Sequence, residues 1–117
     1  MLTENQEKWV EALRSGDYEQ TQGCLQDSKG YCCLGVACVV YEKETGWKLP
    51  RNTDGFYSGI HLGLSFSKVR RWLGLNGNEA PVNDPDIECL TGLNDEKEYT
   101  FEQIAEVIES EPEGLFV

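Results

Sequence analysis

The run Tyr31-Cys32-Cys33-Leu34-Gly35-Val36-Ala37-Cys38-Val39-Val40-Tyr41 contains no charged side chain, and it limits the possible folds more than any other segment. A stretch that is apolar on every side must be enclosed on every side, so it belongs at the centre of the domain. Periodicity alone does not separate a buried strand from a buried helix. The continuation Glu42-Lys43-Glu44-Thr45-Gly46 adds helix formers and then a glycine suited to a left-handed stop. That favours one buried helix of about four turns. The run is far shorter than the ~20 residues a membrane helix needs.

The remaining segments supply its wrapping. Thr3-Glu4-Asn5-Gln6 is a capping box that opens a helix, with Trp9, Val10 and Leu13 on one face and Ser15-Gly16 at its end. Tyr18 to Leu25 reads as a short extended segment carrying Gln20 and Gln22, and Asp27-Ser28-Lys29-Gly30 as a turn. Trp47 and Leu49-Pro50 form a clamp leading out of the central helix. Residues 51–64 form a long loop holding Phe56, Tyr57 and His61, of the kind that often carries function. Ser65 or Ser67 caps a short helix through Trp72-Leu73, which Gly74 ends. Residues 74–86 form a second loop, Ile87 to Leu90 a short strand, and Asn94-Asp95 opens the turn before the last helix. Thr100-Phe101-Glu102-Gln103 is a second capping box, and Phe101, Ile104, Ala105 and Ile108 give an apolar stripe that Pro112 terminates. The expected architecture is α+β: a helix-rich small domain over residues 1–117, with about four helices and a small β-sheet.

At 117 residues and 39% hydrophobic content the chain can bury a core without disulfides or metal. Met1 to Val10 has no basic start followed by an apolar run, so a cytoplasmic protein is expected, in host cytoplasm if viral. Five cysteines in a reducing compartment read as free thiols.

Charge is unevenly placed. Residues 79–117 carry twelve acids against Lys97, and residues 1–78 carry nine acids and nine bases, giving a net charge of −11. A surface for duplex nucleic acid is not expected, because phosphate backbones require clustered Lys and Arg. A small anionic ligand needs only two or three local cations. All four arginines, Arg14, Arg51, Arg70 and Arg71, lie in the neutral part.

Residue patterns argue against catalysis and metal binding. Cys32 and Cys33 point to different helix faces, and the spacing to Cys38 suits no zinc site, so the cysteines read as core filling. An apolar setting raises a thiol pKa, which disfavours pairing with His61, the sole histidine, as a nucleophile. The carboxylate pairs Asp84 with Asp86 and Asp95 with Glu96 read as solvated. The glycines from Gly55 to Gly63 lack the spacing of a phosphate loop or a dinucleotide fingerprint.

The segment Tyr31 to Cys38 resembles the signature of a family of small bacteriophage and prophage accessory proteins. Trp9-Val10-Glu11-Ala12-Leu13-Arg14-Ser15-Gly16, Leu49-Pro50, Trp72-Leu73-Gly74-Leu75, Leu93-Asn94-Asp95 and Phe101-Glu102-Gln103-Ile104-Ala105 follow the same pattern in order. By analogy with small phage proteins that block host defence, the resemblance implies an anti-defence protein that sequesters a nucleotide-derived immune signal as a homo-oligomer, without catalysis, metal or cofactor. The residues expected to hold such a ligand lie beside these motifs: Arg14, Gln20, Gln22, Trp47, Tyr57, Arg70, Arg71, Asn94 and Asp95. Guanidinium groups take phosphate, amides read a base edge, and aromatic rings stack on it. The alternative expectation is an acidic inhibitor or DNA mimic that docks on a host defence protein through Glu102, Glu106 and Glu109.

Overall fold

The computed structural model describes residues 2–22, 24–51, 53–57, 64–77, 80–84 and 87–116. His61, Glu79, Asp86 and the glycines of the 58–63 stretch lie outside the described residues. The described chain is α+β. It runs α1 (Glu4–Arg14), β1 (Gln26–Asp27), β2 (Gly30–Tyr31), α2 (Cys33–Thr45), α3 (Leu64–Leu73), β3 (Pro81–Asp84), β4 (Ile87–Cys89), α4 (Leu90–Asp95) and α5 (Phe101–Glu109). The strands form two antiparallel pairs, β1 with β2 and β3 with β4.

The apolar run becomes α2, the most enclosed helix of the described chain. Cys33 through Cys38, together with Val40, Tyr41 and Glu42, are buried, against α1, α3 and α4. Trp9 of α1 is fully buried, and its indole N–H donates to the Cys33 carbonyl at 3.0 Å. α5 covers α1 and α4 with Phe101, Ile104, Ala105 and Ile108.

Local chemistry sets the helix ends. Thr3 and Thr100 both form full capping boxes, with Gln6 and Gln103 reaching back. Gln6 also donates to the Leu73 carbonyl at 2.7 Å, and Asn5 donates to the Trp72 carbonyl at 3.2 Å. The last carbonyls of α3 are thereby satisfied by side chains of α1. Gly46 closes α2 in the left-handed region at φ 77°.

Gly35 explains the small residue inside the central helix. The Leu25 carbonyl oxygen lies over it, 1.9 Å from where a Cβ would stand. That same carbonyl accepts the Cys32 N–H at 3.1 Å, so the segment before β1 is laid directly against the start of α2. Cys32 is the N-cap, its sulfur accepting the Gly35 N–H at 3.4 Å.

Four expectations need correction. The described residues of the 18–25 segment form no regular strand: Gln20 makes an isolated parallel bridge with Tyr31, and the regular pairing begins at Gln26. Ser65 and Ser67 lie within α3, which begins at Leu64. Asn94 and Asp95 end a short extra helix, α4, where a turn before α5 was expected. The 74–86 segment contains β3, and it is pinned by the C-terminal tail through Asn76 N–H to Leu115 carbonyl and Asn83 N–H to Glu113 carbonyl.

Candidate functional site

Gln20, Asn94 and Asp95 come together, but as a closed network. Asn94 is fully buried. Its Oδ1 accepts from the Gln20 amide at 2.8 Å and from the Cys33 N–H at 3.3 Å. Its Nδ2 donates to the Thr21 carbonyl and to Asp95 Oδ1, both at 2.8 Å. Gln20 spends its other amide proton on the Tyr99 carbonyl at 2.7 Å. These groups join the 20–21 segment, the start of α2 and the end of α4. The Asn94 amide has no bonding capacity left over for a ligand.

Tyr57 sits in a second network, near the other end of α2, which spans roughly 20 Å. Glu42, a buried carboxylate, accepts from Tyr57 Oη at 2.5 Å, from Leu49 N–H at 2.6 Å and from both terminal nitrogens of Arg51 at 2.8 and 3.2 Å. The Arg51 guanidinium also lies 4.4 Å from the centre of the Tyr57 ring. Burial alone would push the Glu42 carboxyl up. The bonds from Arg51, Tyr57 and Leu49, with the Arg51 charge, outweigh burial and hold it at about 2. Burial, then the Glu42 bond, raises the Tyr57 hydroxyl. Sequence reading missed Glu42 and Arg51: Glu42 passes for an ordinary helix former, and no periodicity links it to a partner nine positions on.

The buried thiols are suppressed as nucleophiles. Burial pushes Cys32 up to about 12 and also raises Cys33 and Cys38, with the Asp95 charge adding to Cys32 and Cys33. Cys24 is also raised, first by burial and then by the nearby Asp27 carboxylate. Among the described residues no group of three or more His, Cys, Asp or Glu is placed to hold a metal ion. No described helix is long and apolar enough to cross a membrane.

The other expected ligand residues are dispersed. Trp47 is 70% exposed, so it is neither a clamp nor core. Gln22 is exposed. Arg71 is exposed and Arg70 half-buried, and with Lys68 they form a cationic stretch of α3 without an ion-pair partner among the described residues.

Arg14 stands elsewhere, in a groove of about 590 Å³ lined by Leu2, Glu7, Val10, Glu11, Arg14, Ser15, Glu109 and Glu111. Val10, buried, and Leu2, half-buried, are the apolar residues of its lining. Arg14 bonds Glu109 and sits with its Nε 3.4 Å from Glu102 Oε1, joining the last turn of α1 to α5. Four carboxylates and this one guanidinium line the groove. Its field is negative, and the arginine expected to hold a phosphate is already neutralised by two glutamates.

A family model described as a domain of unknown function, DUF8296, matches residues 1–112. No curated protein and no solved structure matches the chain.

Proposed function

We propose that this chain, which belongs to the DUF8296 family, is a binding protein without turnover whose α1–α5 groove takes a basic segment of another protein. The observation that carries this reading is the groove's composition: the carboxylates Glu7, Glu11, Glu109 and Glu111 set beside the apolar side chains of Val10 and Leu2. A lysine- or arginine-bearing segment would place its apolar stems against the apolar side chains and its charges against the carboxylates. Two facts support binding over chemistry. The buried thiols are held protonated, and the buried carboxylate Glu42 already accepts four hydrogen bonds. In the phage-type setting implied by the Tyr31–Cys38 resemblance, the partner would be a host defence protein.

The test is fluorescence anisotropy with a labelled hexa-arginine peptide at low ionic strength. Binding is expected for the unmodified chain, with loss in the double variant Glu7→Lys, Glu11→Lys and weakening as salt rises. Equal binding by the double variant would remove the groove as the site.

A second reading keeps the nucleotide-derived immune signal as the ligand, sequestered by a homo-oligomer. Lys68, Arg70 and Arg71 favour it, since they offer positive charge that no described carboxylate neutralises. Calorimetry against cyclic dinucleotides and cyclic ADP-ribose isomers tests it. Heat that disappears in Arg70→Glu, Arg71→Glu supports the reading, and no heat from any of them removes it.

A further inference from the structure

The arginine–glutamate contacts among the described residues differ in kind. Arg51 meets Glu42 where the carboxylate side chain is 6% exposed, and that carboxylate is saturated. Arg14 meets Glu102 and Glu109 where the carboxylates are 64% and 44% exposed and its own side chain is 33% exposed. A pair open to water on both sides is weak and exchanges readily. Arg14 and Glu109 also stand in a concavity two of whose other carboxylates, Glu7 and Glu11, have no ion-pair partner among the described residues.

We infer that Arg14 is a built-in occupant of the α1–α5 groove, a guanidinium of the chain's own that a partner's arginine displaces from Glu109 and Glu102. The inference rests on the groove reading above and adds what controls its affinity. The occupant it commits to is an arginine-bearing protein segment, because the groove already holds a guanidinium against Glu109 and the remaining rim is of matching sign. A bidentate arginine entering along Val10 meets Glu109, and Arg14 swings out to solvent. Arg14 thereby competes with every incoming cation and limits capture to segments that bring apolar contact or several charges.

The dissociation constant of the hexa-arginine peptide is measured for the unmodified chain, Arg14→Gln and Lys29→Gln. Lys29 lies on the exposed β1–β2 turn, outside the groove, so its loss changes net charge equally without freeing a groove carboxylate. Arg14→Gln is expected to tighten binding about fivefold, and Lys29→Gln less than about twofold, as a screened remote charge would. Equal tightening by both, or weaker binding by Arg14→Gln, overturns the competitor role and leaves the groove reading standing. No binding by any of the three removes the groove reading and the inference together. In the unmodified protein, the Arg14 Nε–H nuclear resonance should move to the free-arginine position as peptide is added. An unmoved resonance at saturation overturns the displacement even where the variant fails to fold.

Discussion

The side-chain amide of Gln20 donates to Oδ1 of Asn94 at 2.8 Å, across 74 positions of sequence. Asn94 passes the connection on, accepting from the Cys33 N–H and donating to the Thr21 carbonyl. One amide thus holds the start of the central helix, the segment before the first hairpin and the end of α4.

Replacing Asn94 by Ala strands the Gln20 amide, the Thr21 carbonyl and the Cys33 N–H in a buried site. A loss of about 2–4 kcal/mol is expected, because each unsatisfied group costs about 1–3 kcal/mol and water reaches some of them. Urea unfolding followed by circular dichroism measures it. A loss below about 1 kcal/mol would show that the network is not shared in this way.

Glu42 should make stability depend on acid. Its carboxyl titrates near 2 in the folded chain against an ordinary 4.5, so unfolding takes up a proton as the pH falls below the ordinary value. The stabilisation is whole above about pH 5, declines as pH falls and is gone near the folded value. It amounts to roughly 3 kcal/mol at about 1.4 kcal/mol per pKa unit. Glu42→Gln is expected to be less stable at neutral pH. Its urea midpoint should vary less than that of the unmodified chain between about pH 5 and 2.5.

Thiol labelling should divide the five cysteines by burial. Cys32, Cys33 and Cys38 are buried, whereas Cys24 and Cys89 are half-exposed. Maleimide at neutral pH should modify Cys24 and Cys89 first, with Cys24 slowed by its raised pKa. The other three should react only on unfolding. Peptide mass mapping after timed quenching reads the order, and early modification of Cys33 would contradict its placement.

Glycine substitutions should separate crowding from backbone conformation. At Gly35 an added methyl meets the Leu25 carbonyl at 1.9 Å, whereas at Gly46 nothing lies within 4 Å and the strain comes from φ 77° alone. Gly46→Ala should cost about 1 kcal/mol. Gly35→Ala should cost about 3 kcal/mol or more, since backbone must move. Thermal melts of the pair test the ranking.

What the sequence made legible was local. Both capping boxes, the left-handed stop at Gly46 and the stripe of α5 depend on neighbours within a few positions, and they stand where the spacing predicts. The apolar run was legible because an uncharged segment has no solvent face to offer. The site residues were less so. Gln20 and Asn94 do meet, but a polar side chain in sequence does not reveal whether its partner will be a ligand or its own chain. Trp47 was expected to pack and instead faces solvent, because an indole following Gly46 has no periodic face to assign it. Glu42 with Arg51, and Arg14 with Glu109, are tertiary pairings between residue types that are ordinarily solvated.

The chain's central helix cannot finish its surroundings by itself. Its first turn waits for Asn94 and Leu90, and α1 beside it waits for α5. On the ribosome, then, α2 emerges with only α1 available to cover it, and its enclosure is completed as α3 and α4 follow. The interval in which a nascent chain shows part of that segment to chaperones and proteases therefore spans the synthesis of residues 46–95.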